Sequence, residues 1–173
     1  ADMAVADPAV DPATVTAEVT ASSVTEQPEE DNVPELVVQV ADMAALRSAV
    51  QNQAVTKILL VAYISPDYNG LISLYRTLVI EGDQWYCGNR CSIDAGSSSG
   101  IFVLMSGASL ELNNVALTHG YNQHGGLVRV GPGCTLRLVN SAMQTSVAQW
   151  GGAAYILSGA VVELVDSDVI DNE

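Results

Sequence analysis

The stretch that decides the fold is LVRVGPGCTLRLVNSAMQ, residues 127 to 144, because similar copies precede and follow it. IFVLMSGASLELNNVALT (101 to 118) and AAYILSGAVVELVDSDVI (153 to 170) align with it at a spacing of 26 without a gap. A fixed period of this length indicates units that stack on one another. The aligned turn positions are Gly107, Gly133 and Gly159 at the first turn, and a predicted turn ladder of Asn114, Asn140 and Asp166 at the second.

Apolar residues alternate with other residues inside each copy, as in a β-strand whose side chains two apart share one face. Parallel stacking would place equivalent residues about 4.8 Å apart and build aliphatic columns. Cys134 aligns with Ala108 and Ala160, so a small buried side chain is predicted there. The predicted core columns are Phe102, Val128 and Ala154; Leu104, Val130 and Ile156; Leu110, Leu136 and Val162; and Leu112, Leu138 and Leu164.

The opposite face of the copies carries a column of charges, Glu111, Arg137 and Glu163. Exposed pairs contribute only about 0–1 kcal/mol each, but alternating signs favour this register. An irregular fourth copy comes earlier, since Thr77–Gly82 matches residues 109–114 at an offset of 32, six more than the period. The extra residues fall in the segment that contains CGNRC. This loop is therefore predicted to be an insertion on the outside of the stack.

The charge of the chain is strongly negative and uneven. Twenty Asp and Glu residues face six Lys and Arg, which gives a net charge of −14. Residues 1–34 hold eight of these acids, no base and no sustained apolar period, so they are predicted to form an extended acidic arm. The acidity argues against nucleic acid or an anionic membrane as partner. No apolar run reaches the roughly 20 residues that span a bilayer.

Residues 35–173 are predicted to form one repeat domain. A strand at 36–40 precedes a helix at about 43–52, which Asp42 can cap at its N-terminus. Further β-forming stretches are predicted at 57–64 and 71–80. The predicted parts of the domain are a cap strand and helix at 35–56, irregular first coils with the CGNRC insertion at 57–100, and regular coils at 101–173.

Cys87 and Cys91 stand four residues apart in CGNRC and close a small loop. A disulfide is the preferred interpretation for an oxidising compartment, with free thiols as the alternative. A structural zinc site would need four ligands, and this motif supplies two.

The repeats resemble the right-handed parallel β-helix of the pectin-lyase-like superfamily, and the predicted helix is similar to the N-terminal cap of those proteins. The coils also resemble the repeats of polymorphic outer-membrane proteins, which combine a GGA[IV] step with an F-x-x-N step. Residues 125–128 and 151–154 approximate the first step, and 169–172 the second, with Val in place of Phe. The resemblance covers roughly residues 76–173 and implies an all-β solenoid of about four coils. A fold does not specify a function.

Enzymes of the resembled fold use clustered carboxylates, with calcium or an Arg or Lys base in the lyases. The candidates here are few, and each has a plainer interpretation. An acidic patch near the C-terminus is predicted to be solvated, and Arg129 and Arg137 to pair on the surface. His119 and His124 are interpreted as ordinary loop histidines, with metal binding or proton transfer as the alternative. No catalytic residue, metal or cofactor is predicted; the acidic patch is Asp166, Asp168, Asp171 and Glu173.

Several aromatic residues are expected to point outward, where they can stack on a sugar or on a protein. They do not recur with the period of the repeat, so they form no regular ladder. The residues are Trp85, Tyr86, Tyr121, Trp150 and Tyr155.

These features predict a non-catalytic structural or accessory subunit of a larger assembly, with other protein subunits as partners. A chain that starts at Ala1 without Met is expected to have lost a targeting segment, which favours an extracytoplasmic place such as the cell surface or an organelle lumen, including the lumenal side of a photosystem. The last coil stops at Glu173 without a second capping helix, and an apolar end facing water is unfavourable. Three explanations are open: the chain continued before processing, the sequence was cut short, or a partner covers the end. The alternatives are a carbohydrate-active protein, either lyase-like or glycan-binding, and a surface adhesin fragment.

Overall fold

The computed structural model describes residues 35–173, and the predicted acidic arm at 1–34 lies outside the described residues. The described chain forms a parallel β-solenoid of about four coils, which begins with a short helix. The predicted fold class is therefore confirmed. The regular coils are named rung I (101–126), rung II (127–152) and rung III (153–173).

The secondary structure consists of short strands, because each coil turns a corner after three to nine residues. The bounds are β1 (Val37–Val40), α1 (Met43–Gln51), β2 (Lys57–Leu60), β3 (Ile72–Leu74), β4 (Thr77–Gly82), α2 (Gln84–Cys87), β5 (Cys91–Asp94), β6 (Phe102–Leu104), β7 (Ser109–Asn113), β8 (Val115–Thr118), β9 (Tyr121–His124), β10 (Val128–Val130), β11 (Thr135–Val139), β12 (Ala142–Trp150), β13 (Ala154–Ile156), β14 (Val161–Val165) and β15 (Asp168–Asn172).

Three sheets run along the solenoid, and every neighbouring pair of strands in them is parallel. Their orders are β1-β2-β4-β7-β11-β14, β3-β6-β10-β13 and β5-β8-β12-β15. A coil therefore contributes one strand to each sheet, as the repeat predicts. Rung I adds a fourth strand, β9, which pairs with the long strand β12 of rung II.

The register matches the sequence alignment, and the aliphatic columns fill the centre. Leu136 pairs with Leu110 below it and with Val162 above it. The members of the four columns in rungs I and II are all 0 % exposed. Those in rung III, the last rung that the structure describes, are less buried: Ala154 and Val162 are half-buried, and Ile156 and Leu164 are exposed. Cys134 is a free thiol and is fully buried.

Two predicted strands are shorter than the sequence suggests. The apolar pattern at 71–80 is broken at Tyr75 and Arg76, so that β3 and β4 lie in different sheets. The stretch at 57–64 ends as a strand at Leu60, and Ile64 makes only a single bridge to Ile93. Both breaks have one cause, because a coil must turn a corner wherever the chain passes from one sheet to the next.

The cysteine loop is an insertion between β4 and β5. Glu81 pairs with Asn113, and Cys91 pairs with Val115. The chain advances ten residues from Glu81 to Cys91 but two residues from Asn113 to Val115, so the insertion adds eight residues. The connection from β5 to β6 is two residues shorter than its counterpart in rung I, since Asp94 and Phe102 align with Thr118 and Val128. Eight added residues and two missing ones explain why residues 77–82 and 109–114 are separated by six residues more than the period.

Helix α1 packs its apolar face on the first coil and is capped at both ends. The carboxylate of Asp42 accepts a hydrogen bond of 2.8 Å from the Ala45 N–H. At the other end, the Arg76 guanidinium donates to the carbonyl oxygens of Val50 at 3.3 Å and Asn52 at 3.0 Å. Burial lowers the pKa of Arg76. A cation on the last carbonyls also offsets the negative end of the helix dipole.

Replacing Arg76 by Ala should lower the free energy of unfolding by about 1–3 kcal/mol, since hydrogen bonds to a charged group are lost at a helix end. Urea unfolding followed by circular dichroism measures the change. Arg129 is exposed, so Arg129→Ala is the control and should change stability by less than about 0.5 kcal/mol. Equal effects of the two substitutions would contradict the capping role.

Candidate functional site

The last described rung presents a surface, here called the end face, that consists of the inward side chains of rung III on which no described residue stacks. Ile156 and Leu164 are 51 % and 49 % exposed, whereas Val130 and Leu138, their partners in rung II, are 0 % exposed. An open depression of about 440 Å³ lies on this face. It is lined mainly by Met143, Ala154, Ile156, Val162, Leu164 and Val169.

The backbone at the end face also has free hydrogen-bonding positions. Strands β13, β14 and β15 are each the last strand of their sheet. The Val161 N–H donates to the Cys134 carbonyl at 2.9 Å, which uses the inner side of β14. Successive backbone groups of a strand point to opposite sides. The N–H groups of Val162 and Leu164 therefore point away from rung II, and no described strand pairs with them.

Charges alternate along one outer column of the stack. The Arg137 guanidinium lies 2.8 Å from the Glu163 carboxylate above it and 3.5 Å from the Glu111 carboxylate below it. All three side chains are about half exposed, so each pair contributes little to stability. The column nevertheless ends on a carboxylate at the end face.

The turn ladder adopts left-handed backbone at each rung, with φ of 56° at Asn114, 45° at Asn140 and 49° at Asp166. Asn and Asp tolerate this region better than other non-glycine residues. The Asn140 side-chain amide donates to the Asn114 side-chain oxygen at 2.7 Å. Beside this ladder, Arg90 of the cysteine loop donates to the Asn140 carbonyl at 2.8 Å and to the Asp168 carboxylate at 2.8 Å. One side chain thus links the insertion to rungs II and III.

The disulfide between Cys87 and Cys91 is present, as the CGNRC motif predicts. Cys91 is buried at the start of β5, while the loop before it carries the short helix α2. Asp83 accepts from the Trp85 N–H at 2.8 Å and so caps this helix. Trp85 itself is 90 % exposed. The insertion therefore presents the indole of Trp85 to solvent.

A second aromatic group lies where rungs I, II and III meet. The rings of His124 and Trp150 stack at 4.9 Å, and the His124 ring meets the Tyr155 ring edge-on at 5.0 Å. Arg129 pairs with Tyr155 in the strand register and extends the group on the same outer face. This cluster unites four sequence-predicted candidates, but Tyr121 stands apart because its side chain alternates to the other side of β9.

The structure does not bring His119 and His124 into contact with each other; each has its own partner. The Nδ1 atom of His119 lies 3.1 Å from the Asp94 carboxylate, which also accepts from the Tyr63 hydroxyl and, at 2.7 Å, from the Gly96 N–H. Sequence reasoning missed this group because Tyr63, Asp94 and His119 come from three successive coils. The only signal was an acidic residue at the end of an apolar strand.

The hydrogen bonds around Asp94 change its ionisation. Burial alone would raise the pKa of Asp94, but hydrogen bonds from Tyr63, Gly96 and His119 outweigh it and lower the pKa below the ordinary value. The hydrogen bond to Asp94, together with burial and the negative charge of Asp94, raises the pKa of Tyr63 to about 12. The cluster therefore keeps an ionised carboxylate and a neutral phenol near neutral pH.

The cluster of Tyr63, Asp94 and His119 should make the free energy of unfolding depend on pH in the acidic range. Because the pKa of Asp94 is lower in the folded state, the unfolded chain binds the proton first as pH falls, and the contribution of Asp94 is lost below about pH 4. The difference in unfolding free energy between the wild type and Asp94→Asn should therefore be largest near neutral pH and shrink towards about pH 3. Asp171→Asn, at an exposed position, is the control. A difference that stays constant with pH would contradict the assignment.

The predicted acidic patch gathers on rung III without forming a metal site. Asp168 is held by Arg90, and Asp166 lies on the turn ladder. Among residues 35–173, no three His, Cys, Asp or Glu side chains are placed to hold one metal ion. The acids thus surround the apolar end face with negative charge.

Comparison with models of protein families, with curated proteins and with solved structures finds no significant match. The parallel β-solenoid is therefore established by strand register alone. No helix in the described part of the chain is long and apolar enough to cross a membrane.

Proposed function

We propose that this protein is a non-catalytic structural or accessory subunit that binds another polypeptide through its cysteine loop. The observation that carries the proposal is the exposure of Trp85 and Tyr86, which are 90 % and 64 % exposed on the short helix α2 of this loop. Trp and Tyr are enriched in protein contact sites and contribute much of the binding energy there. The Asp83 cap and the Cys87–Cys91 disulfide support this helix from both sides.

The place of this subunit is proposed to be extracytoplasmic, either at a cell surface or in an organelle lumen. The disulfide in CGNRC supports an oxidising compartment. We also propose that the chain belongs to the pectin-lyase-like superfamily and that its repeats are related to those of polymorphic outer-membrane proteins. The solenoid, its N-terminal helix and the glycine pairs 125–126 and 151–152 at the ends of rungs I and II support it.

Site-specific photocrosslinking tests the function directly. Benzoylphenylalanine replaces Trp85 in the cysteine loop, and as a control replaces Tyr75, an aromatic residue 57 % exposed at the corner between β3 and β4. In cells of the protein's own source, illumination should yield one defined polypeptide adduct from position 85 and none from position 75. Unmodified monomer at both positions would contradict the proposal.

A second candidate, glycan binding, is favoured by the cluster of His124, Trp150, Tyr155 and Arg129. Aromatic rings stack on the apolar faces of sugars, and a neighbouring guanidinium can bind a sugar carboxylate. Titration with neutral and acidic oligosaccharides tests this alternative. Trp150→Ala should abolish binding while Trp85→Ala leaves it intact, and the candidate fails if the wild type binds none of the sugars.

A further inference from the structure

The chemistry of the partner follows from the groups that lie beside Trp85; this inference rests on the proposed function. Asp83 is the N-cap of α2, and its carboxylate accepts a hydrogen bond of 2.8 Å from the Trp85 N–H. The Cα–Cβ bonds of a helix tilt towards its N-terminus, so the Trp85 side chain leans to the side of α2 on which Asp83 lies. A partner that covers the indole therefore also covers a carboxylate.

The charge of Asp83 is not balanced by the described residues around the cysteine loop. Lys57, on the strand next to β4, lies 2.6 Å from the Glu81 carboxylate. Arg90, within the loop, lies 2.8 Å from the Asp168 carboxylate. Both bases are thus paired with other acids, and no Lys or Arg among residues 35–173 forms an ion pair with Asp83. The partner has to supply the positive charge.

A purely apolar pocket in the partner is a poor match for this surface. A carboxylate that is covered without a counterion loses its hydration, which opposes binding. The hydrogen bond from Trp85 uses only part of the accepting capacity of the Asp83 carboxylate, because an ionised carboxylate offers about four lone-pair positions. Residues 35–173 also hold 12 acids and six bases, so the field of the domain favours a basic partner.

We propose that the partner places an arginine side chain on Trp85 and pairs it with Asp83. A guanidinium is flat and weakly hydrated, so one group can stack on an aromatic face and also donate to a carboxylate. Among aromatic side chains, the face of Trp attracts a cation most strongly. Tyr86, which is 64 % exposed, adds a second ring beside this contact. A lysine ammonium would offer the charge without the flat face.

Crosslinking from position 86 tests the charge pairing with Trp85 and Asp83 both in place. Benzoylphenylalanine replaces Tyr86, and the yield of polypeptide adduct is measured in cells of the protein's own source. Asp83→Asn should lower this yield at least about fivefold, because it removes the charge and keeps a residue that caps α2 well. Asp42→Asn makes the same change at the N-cap of α1 and should leave the yield unchanged.

Two substitutions of Trp85 separate a cation contact from an apolar contact. Trp85→Leu keeps an apolar side chain but has no aromatic face, so the yield should again fall at least about fivefold. Trp85→Tyr keeps a ring and should retain more of the yield than Trp85→Leu does. Circular dichroism of each variant should match that of the wild type, since α2 lies in a loop outside the core.

The partner segment itself gives the decisive measurement. Mass spectrometry of the adduct identifies the segment, and a synthetic copy of it is titrated against the full chain by fluorescence anisotropy. Citrulline in place of its arginine keeps the shape of the side chain and removes the charge. The citrulline peptide should bind at least about fivefold more weakly.

The other outcomes are distinct from one another. A segment without arginine, equal affinity for the two peptides or an unchanged yield from Asp83→Asn would overturn the arginine contact and leave the proposed function intact. A higher yield from Asp83→Asn would make an apolar pocket of the partner the occupant. If positions 85 and 86 give no adduct in the otherwise unsubstituted chain, the proposed function is rejected and this inference with it.

Discussion

Leu138→Asp should unfold the solenoid at ordinary temperatures. Leu138 is 0 % exposed and lies between Leu112 and Leu164 in an apolar column, so the new carboxylate would be buried without a partner. An unpaired charge in such a place costs at least about 4 kcal/mol, a large part of the stability of a domain this size. Circular dichroism and urea unfolding should show a loss of the cooperative β-sheet transition.

Leu164→Asp is the matched control, because it makes the same change in the same column one rung higher. Leu164 is 49 % exposed, so the carboxylate can reach water, and the expected loss is about 1 kcal/mol. A destabilisation as large as that of Leu138→Asp would mean that the end face is buried in solution. It would therefore contradict the account of an uncovered rung.

Gly126→Ala should produce the second largest loss of stability, about 3 kcal/mol. A Cβ atom at Gly126 would lie 2.2 Å from the carbonyl oxygen of Gly152, the residue that stacks on it in the next rung. That oxygen accepts the Gly126 N–H at 2.8 Å, so neither backbone can move without breaking the ladder. Forcing atoms into such a space usually costs about 1–3 kcal/mol and sometimes more.

Gly133→Ala separates this steric effect from backbone strain. Gly133 has a φ of 68°, but a Cβ atom there would meet nothing within 4 Å. The expected cost is only the left-handed strain of a side chain, about 1–2 kcal/mol. Thermal unfolding of both variants gives the comparison, and a larger loss at Gly133 than at Gly126 would contradict close rung contact at the paired glycines.

The repeat made the fold predictable, because each position from 101 to 121 has two equivalents at spacings of 26. Alternation then identified the inward face, and Leu110, Leu136 and Val162 lie in register. The corners of the first coils were harder to predict, since the interruption at Tyr75 and Arg76 contains no glycine or proline that would mark a turn. There the chain leaves one sheet for the next, and sheet membership is decided by neighbouring coils.

Some features of the candidate sites could likewise be predicted from the sequence, and others could not. The Cys87–Cys91 disulfide followed from the sequence, because the two cysteines stand four residues apart in CGNRC. The Tyr63, Asp94 and His119 cluster did not, since its members are separated by coils of unequal length. The role of Arg90 was not predicted either, although Arg90 links the cysteine loop to Asp168, which lies 78 residues further along the chain. Contacts between coils that differ in length have no periodic signal.

Hydrogen exchange measured amide by amide in β14 tests the central claim, that rung III stacks on rung II and leaves its outer side open. The Val161 amide, bonded to the Cys134 carbonyl, should exchange slowly, whereas the Val162 and Leu164 amides should exchange rapidly. Rapid exchange at Val161 would mean that rung III does not stack. Slow exchange at Val162 and Leu164 in the protein alone would mean that the end face is already covered.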